Sequence, residues 1–283
     1  MIIDGKKISE EILKKLKSRP NPEKIFAAIL VGENPISLNF LKQKERVAKE
    51  LGVDFRIYKF PETIKNDDLR KEAGKIALLK RVGGVIIQLP LPEHFNRRYI
   101  LNVIPAEKDI DVLGERALGA FYNDRNPVLP PAVGVIKEIL AISHLPLTTS
   151  KVAIVGLGFL IGKPIATWLM GKAAEIYLLD KGSNFSILKN ADLVISGVGQ
   201  AELIKPEILK EGAGVIDFGY SVENATRSMR QENNFVKKIR GDFDVNSLSM
   251  SPVALRFYTP TPNGTGPILV AKIFENFYKL NTG

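Results

Sequence analysis

The chain contains no cysteine. Disulfides, thiolate metal sites and a cysteine nucleophile are therefore excluded, and the absence fits a reducing compartment. Histidine is nearly as scarce, with only His94 and His144 in 283 residues. Neither sits at a metal-ligand spacing, so no metal is expected. Neither lies in the motifs below, which makes both poor candidates for acid–base work. No apolar run approaches the roughly 18 residues that span a bilayer. The opening residues, Met-Ile-Ile-Asp-Gly-Lys-Lys, lack the layout of a secretory signal. The expectation is a cytoplasmic protein that does not engage a membrane. Low-complexity segments and internal repeats are also missing.

What is present is ordinary for a globular chain: 45% hydrophobic residues, enough for sizeable cores. The length suggests about two domains. The net charge is +9, which suits nucleic acid or small anionic ligands. Lysines over 6–17, 42–49 and 65–80 alternate with Asp and Glu, as on solvated helix faces. Only Arg227–Arg240 is a strongly basic cluster. A nucleic-acid-binding protein is thus a remote alternative.

Lys151-Val152-Ala153-Ile154-Val155-Gly156-Leu157-Gly158 organises the chain. An apolar β-branched run leads into a G-x-G turn, then a helix over Pro164–Met170 with its proline near the first turn. Strand, glycine turn and helix N-terminus form a phosphate cradle: glycines admit the anion, and unpaired N–H groups and the helix dipole favour it. A second strand, Glu175–Leu179, ends in Asp180, 24 residues after Gly156. That is about where a dinucleotide fold puts its ribose-binding carboxylate. The third glycine, Gly162, follows Gly158 by four residues, so the common fingerprint is not met. A tight turn without a ligand is the alternative.

In the N-terminal half, helical spacing at Ile8, Ile12, Leu13 and Leu16 predicts a helix over Ser9–Ser18. A strand over Ile25–Val31 and a turn at Gly32-Glu33-Asn34-Pro35 follow. A helix then starts near Ser37 and runs to Leu51, where Gly52 closes it. Val53–Phe60 reads as a strand, Asp67–Lys80 as a helix, and Gly83-Gly84 as a break before the strand Val85–Leu89. Gly119–Val128 reads as irregular, and a helix follows Pro130-Pro131 to Leu140. Further strands are expected over Leu193–Val198 and Gly214–Phe218, the latter ending in Gly219-Tyr220. A terminal helix covers Ile268–Lys279. The alternation predicts an α/β protein with mostly parallel sheets. If the last helix returns to the first domain, that domain is discontinuous. Gln88 ends its strand on a polar amide, where open α/β sheets bind ligands; satisfying loop backbone is its alternative role. Lys108-Asp109-Ile110-Asp111 reads as a charged surface turn.

Taken together, Val31-Gly32-Glu33-Asn34-Pro35-x-Ser37, Lys44, Gln88-Leu89-Pro90-Leu91-Pro92, Lys108-Asp109-x-Asp111, Gly162-Lys163-Pro164 and Thr259-Pro260-Thr261-Pro262-x-Gly264-x-Gly266-Pro267 resemble the methylenetetrahydrofolate dehydrogenase/cyclohydrolase family, in order and along nearly the whole chain. The resemblance implies a folate-binding catalytic domain over 1–134 and 268–283, a Rossmann-type dinucleotide domain over 135–267, and an active site in the cleft between them. It implies oxidation of 5,10-methylenetetrahydrofolate to the methenyl form, then hydrolysis to 10-formyltetrahydrofolate, in a homodimer. Lys44 matches the catalytic lysine, with Gln88 and Asp111 beside it as catalytic and folate-binding groups. Phe40, Pro262 and Gly264 would contact the folate. Gly156, Leu157, Gly158, Gly162, Lys163, Asp180, Lys181, Tyr220 and Gly264 would contact the dinucleotide. The positive charge would suit the dinucleotide and anionic folate tails.

Four departures from the family pattern bear on function. Phe40 stands where the family has tyrosine, which removes a hydroxyl and leaves a dehydrogenase without cyclohydrolase as an alternative. Gly156-Leu157-Gly158 replaces Gly-Arg-Ser, and Asp180-Lys181 replaces His-Ser. Family habit implies NADP; these two changes favour NAD, because a carboxylate suits a free 2′-hydroxyl and repels a phosphate. NADP is the expectation and NAD the alternative. Leu129-Pro130-Pro131-Ala132-Val133-Gly134 also departs, and no role is assigned to it.

Overall fold

The computed structural model describes residues 1–223 and 238–282. Of the basic cluster Arg227–Arg240, residues 227–237 lie outside the described residues. The chain divides into two compact units, Ser9–Gly134 with Leu269–Gly283, and Met1–Ile8 with Val135–Ile268.

In the first unit, β1 (Ile25–Val31), β2 (Phe55–Phe60) and β3 (Val82–Ile87) form a parallel sheet of order β2-β1-β3. Every residue of β1 and β3 is buried, which is why both read as continuous apolar runs. Helices α1 (Gly5–Lys17), α2 (Pro35–Leu51) and α3 (Asn66–Leu78) precede these strands in turn or separate them. The short α4 (Arg97–Leu101) and α5 (Glu115–Tyr122) follow β3, and α6 (Pro131–Ser143) leads onward. Helix α2 starts two residues before Ser37, and Asn34 caps it: its Oδ1 accepts from the Ile36 and Ser37 N–H groups at 3.0 and 3.1 Å, and Pro35 takes the first turn. Gly52 closes α2 in the left-handed region, φ 71°.

Two expectations fail here for packing reasons. Gly83-Gly84 does not break before the strand; it lies within β3. A Cβ on Gly84 would fall 2.7 Å from Phe277 Cδ2 and 2.9 Å from Ile110 Cγ2, so glycine is there to admit these side chains. Phe277 and Phe274, from the C-terminal helix, pack with Phe26 of β1, ring centroids 5.3 and 5.2 Å apart. The stretch Gly119–Val128 is not wholly irregular, because α5 reaches Tyr122 and buries Ala117 and Phe121.

In the second unit, β4 (Lys151–Val155) leads to α7 (Gly162–Leu169) and β5 (Glu175–Leu179). Next come β6 (Leu193–Ser196), β7 (Gly214–Asp217), the hairpin strands β8 (Ser221–Glu223) and β9 (Lys238–Arg240), and the two-residue β10 (Phe257–Tyr258). Five of these make a parallel sheet of order β10-β7-β6-β4-β5. The chain lays β5 on one side of β4 and β6 on the other. The order therefore reverses between β4 and β6, and such a reversal opens a crevice at the strands' C-terminal ends.

The last helix, α8 (Thr265–Asn281), carries the chain from the second unit back to the first, which makes the first discontinuous. Residues 1–8 group with the second unit rather than with 9–134. The reason is pairing: Ile2 bridges Tyr258, the Ile3 N–H donates to the Tyr258 carbonyl at 2.9 Å, and the terminal amine reaches the Arg256 carbonyl at 2.8 Å. No local signal in those residues announces this partner. Among the described residues, no helix is long and apolar enough to cross a membrane.

Candidate active site

Lys44 sits one turn after Phe40 on α2 and is only 6% exposed. Its Nζ donates to Gln88 Oε1 at 3.0 Å. Gln88 follows β3 and extends the ladder, its N–H donating to the Ile29 carbonyl at 2.8 Å. Its Nε2 donates to the Leu89 carbonyl at 2.7 Å. One end of the amide thus satisfies the loop, and the other receives the lysine. The Phe40 ring is half-buried, its centroid 5.9 Å from Lys44 Nζ, within cation–π reach.

Burial pulls the Lys44 ammonium down to about 8, and the Asp111 carboxylate opposes that fall. Reciprocally, burial pushes Asp111 above the usual carboxylate range, and Lys44 opposes it. An amine with a pKa near 8 can give and take a proton close to neutrality.

The turn holding Asp111 is not a surface turn. Lys108 Nζ donates to the Ala77 and Leu79 carbonyls at 2.7 and 3.0 Å, closing the end of α3. Asp109 is buried, and its Oδ2 accepts from the Leu113 and Gly114 N–H groups at 2.9 and 2.7 Å. Burial pushes it up to about 6. Val112, buried and β-branched, is held at φ 57°, a conformation that costs such a residue on the order of 1–3 kcal/mol. Lysine and first aspartate therefore build the loop that carries Asp111. The segment starting at Leu129 has a structural contact, since Asn276 Nδ2 donates to the Leu129 and Ile110 carbonyls, each at 2.8 Å.

The dinucleotide candidates lie in the second unit. Gly156 is at φ +88°, and its N–H donates to the Leu179 carbonyl at 2.8 Å. A Cβ on Gly162 would fall 2.0 Å from the Gly156 carbonyl oxygen, so α7 starts hard against the turn. At Gly158 a Cβ would meet nothing within 4 Å. Two glycines are thus demanded by the protein itself, while Gly158, next to Leu157, borders open space. This is the shape a pyrophosphate needs at a helix N-terminus, and the residues fit a dinucleotide. Asp180 is exposed at the end of β5, its Oδ1 accepting from the Lys181 N–H at 3.0 Å. Lys163 and Lys181, which both follow the turn in sequence, are exposed cations. Tyr220 is half-buried beyond β7. Gly264 packs on its own loop, where a Cβ would fall 2.3 Å from the Pro260 carbonyl oxygen. Pro262 belongs to the same loop.

The structure therefore gathers Phe40, Lys44, Gln88 and Asp111 in one unit, and Gly156, Leu157, Gly158 and Gly162 in the other. It also shows a group that sequence reasoning missed. Asp217 and Asp242, 1% and 0% exposed, sit at the C-terminal ends of the second unit's sheet. Part of their signal was available: Asp217 ends the apolar run Gly214-Val215-Ile216 two residues before Gly219, and Asp242 directly follows Gly241.

Fold and site together define the class: an α/β protein with a buried lysine in its first unit and a dinucleotide-type parallel sheet in its second. Residues 3–111 match the tetrahydrofolate dehydrogenase/cyclohydrolase catalytic domain, and residues 130–282 the NAD(P)-binding domain of the same family. The chain belongs to that family. It is 32% identical to a bifunctional protein FolD of Mycoplasmopsis synoviae, over 99% of each chain. The solved structure of the bifunctional enzyme FolD from Campylobacter jejuni is 28% identical, with TM-score 0.88 over 100% of this chain and 98% of its own. A Trypanosoma brucei methylenetetrahydrofolate dehydrogenase-cyclohydrolase, solved with NADP and an inhibitor, shares the fold at TM-score 0.89, with 24% identity over 100% of this chain and 97% of that one.

Proposed function

We propose that this chain oxidises 5,10-methylenetetrahydrofolate to 5,10-methenyltetrahydrofolate with NADP, then hydrolyses the product to 10-formyltetrahydrofolate. Membership of the family carries the reaction class. The observation that supports it in this chain is the buried Lys44–Gln88 hydrogen bond beside Asp111.

The bound nicotinamide would supply the hydride acceptor. Hydride loss itself needs no acid or base, only placement of the donor carbon and tolerance of a developing cation. Hydrolysis is different: water adds to the methenyl carbon, and protons must move. Lys44 would handle those protons, its ammonium poised by burial against the Asp111 charge. Gln88 would hold the lysine's direction. Asp111 would accept hydrogen bonds from the pterin's amino and ring N–H edge, which a carboxylate suits. Phe40 would stack on the folate without offering a hydroxyl, and Pro262 and Gly264 would complete the folate contacts.

Gly156, Leu157, Gly158 and Gly162 would cradle the pyrophosphate, with Tyr220 and Gly264 as further dinucleotide contacts. Lys163 and Lys181 would neutralise the 2′-phosphate. Asp180 favours NAD as the second reading, since a carboxylate after the second strand would suit a free ribose 2′-hydroxyl and repel a phosphate. The reading further takes 1–134 with 268–283 as the folate domain and 135–267 as the dinucleotide domain, in a cytoplasmic homodimer.

The test is a spectrophotometric assay with 5,10-methylenetetrahydrofolate and either NADP or NAD, following reduced nicotinamide and methenyltetrahydrofolate separately. Reduced cofactor together with enzyme-dependent hydrolysis of added methenyl substrate is expected. Accumulating methenyl product that decays no faster than in buffer would leave a dehydrogenase alone.

A further inference from the structure

The crevice of the second unit has two walls. One is the Gly156 turn after β4. The other is the loop Gly197–Gln200 after β6, the strand across the reversal. The two walls touch. A Cβ on Gly156 would fall 2.9 Å from Val198 Cγ2 and 3.1 Å from the Gly197 carbonyl oxygen, and one on Gly197 would fall 2.7 Å from Ile161 Cγ2, just before α7. Where the second loop lies thus bears directly on the cradle.

Ser221 Oγ donates to the Gly199 carbonyl of that loop at 2.8 Å, and Asp242 holds the loop at three points. Asp242 Oδ2 accepts from Ser196 Oγ and from the Val198 N–H, each at 2.7 Å, and Oδ1 accepts from the Gln200 N–H at 2.8 Å. We propose that Asp242 is a positioning residue for the dinucleotide, fixing the loop after β6 against the Gly156 turn. The inference rests on the dinucleotide reading of this unit and adds to it a residue that touches no ligand.

The surroundings support it. Asp217, at the end of β7, is tied in the same way, accepting from the Gly219 N–H at 2.6 Å and the Phe243 N–H at 3.0 Å. The carboxylates leave no room for side chains between them. A Cβ on Gly219 would fall 2.3 Å from Asp242 Oδ1, and one on Gly241 would fall 2.0 Å from Asp217 Oδ2. Thr259 Oγ1 accepts from the Asp217 N–H at 2.7 Å, and Thr265 Oγ1 donates to the Asp217 carbonyl at 2.8 Å. Three segments therefore converge on this pair: the loop after β6, the turn leading to Tyr220, and the loop bearing Pro262 and Gly264. Burial, with the Asp242 charge beside it, pushes Asp217 up to about 7. Two buried carboxyls this close oppose stability, and the gain that offsets them is a fixed loop geometry.

The test uses the full chain without folate, titrated with NADP and with NAD by calorimetry, for the parent, Ser196→Ala and Asp242→Asn. Melting temperature and hydrolysis of added 5,10-methenyltetrahydrofolate, which consumes no dinucleotide, are measured on the same samples. Ser196→Ala removes one of the three donors and should weaken dinucleotide binding about 3- to 10-fold. Asp242→Asn must turn an amide N–H₂ toward a donor and should weaken it more than about 10-fold. Methenyl hydrolysis should stay at the parent rate in both. Should Asp242→Asn not fold, Ser196→Ala decides. A lowered melting temperature with unchanged dinucleotide affinity in Ser196→Ala would make the cluster a scaffold only and overturn the inference. A parent chain that binds neither dinucleotide would overturn the functional reading instead.

Discussion

Lys44 and Asp242 are both charged groups taken out of water, one in each unit, and they are held in opposite ways. Lys44 is surrounded by side chains: the Gln88 amide, the Asp111 carboxylate and the Phe40 ring. Asp242 is held mainly by backbone, through the Val198 and Gln200 N–H groups, with Ser196 as its one side-chain donor among the described residues. Side-chain partners can rotate and be exchanged for a substrate or a water. Backbone donors cannot move without moving the chain. The first arrangement suits a group that transfers protons, and the second suits a group that fixes a loop.

The largest expected break in this comparison is Lys44→Met. Hydrolysis of methenyltetrahydrofolate should fall by about 10²- to 10⁴-fold, while dinucleotide affinity, measured by titration without folate, stays at the parent value. Hydrolysis at the parent rate would remove Lys44 from the mechanism. Next come the two glycines of the cradle. Gly162→Ala puts a methyl against a carbonyl oxygen and should destabilise the chain by about 1–3 kcal/mol, read from denaturant melts. Gly158→Ala has space and should change stability by less than about 0.5 kcal/mol, yet weaken dinucleotide binding by intruding on the open side. Equal stability losses at the two positions would show that Gly158 too serves packing.

A subtler effect concerns pH. The Asp111 charge favours the protonated form of Lys44 and so raises its pKa against burial. Asp111→Asn removes that support, and the lysine should lose its proton more easily. The inflection of the hydrolysis rate near pH 8 should therefore move to lower pH in a pH–rate profile. An inflection that stays in place would mean the two groups are not coupled. The smallest change expected is a gain: Phe40→Tyr restores a hydroxyl one turn before Lys44 and should raise hydrolysis by up to about 10-fold. No gain in the steady-state rate would leave the ring a stacking surface alone.

Much of the fold was legible because its signals are local. The strands Ile25–Val31 and Glu175–Leu179 stand where apolar runs put them, and Gly52 ends α2 as a residue tolerating φ 71° should. Gly83-Gly84 misled for the opposite reason. A glycine pair reads as a break unless one knows that Phe277, nearly 200 residues later, fills the space. The bridge from Ile2 to Tyr258 was illegible likewise, because an edge pairing leaves no mark in the residues' own composition.

The candidate site divides along the same line. Lys44, Gln88 and Asp111 were visible as residues in an ordered set of motifs, and Gly156 and Gly162 as parts of a strand–turn–helix. By itself the sequence determined residue chemistry: no thiol, almost no imidazole, one lysine and one carboxylate in characteristic company, and glycines where a backbone must come close. Only tertiary structure decided which lysine loses its water, which glycine is demanded by packing and which is left open, and that Asp217 and Asp242 meet. The physical reason is that burial and charge–charge proximity are properties of space rather than of sequence neighbourhood. Lys44 and Gln88 are 44 positions apart and bond at 3.0 Å. Asp242 and Ser196 are 46 apart and bond at 2.7 Å. The pKa and the positioning both arise at those contacts, where desolvation is set by the fold and not by the residue's own type.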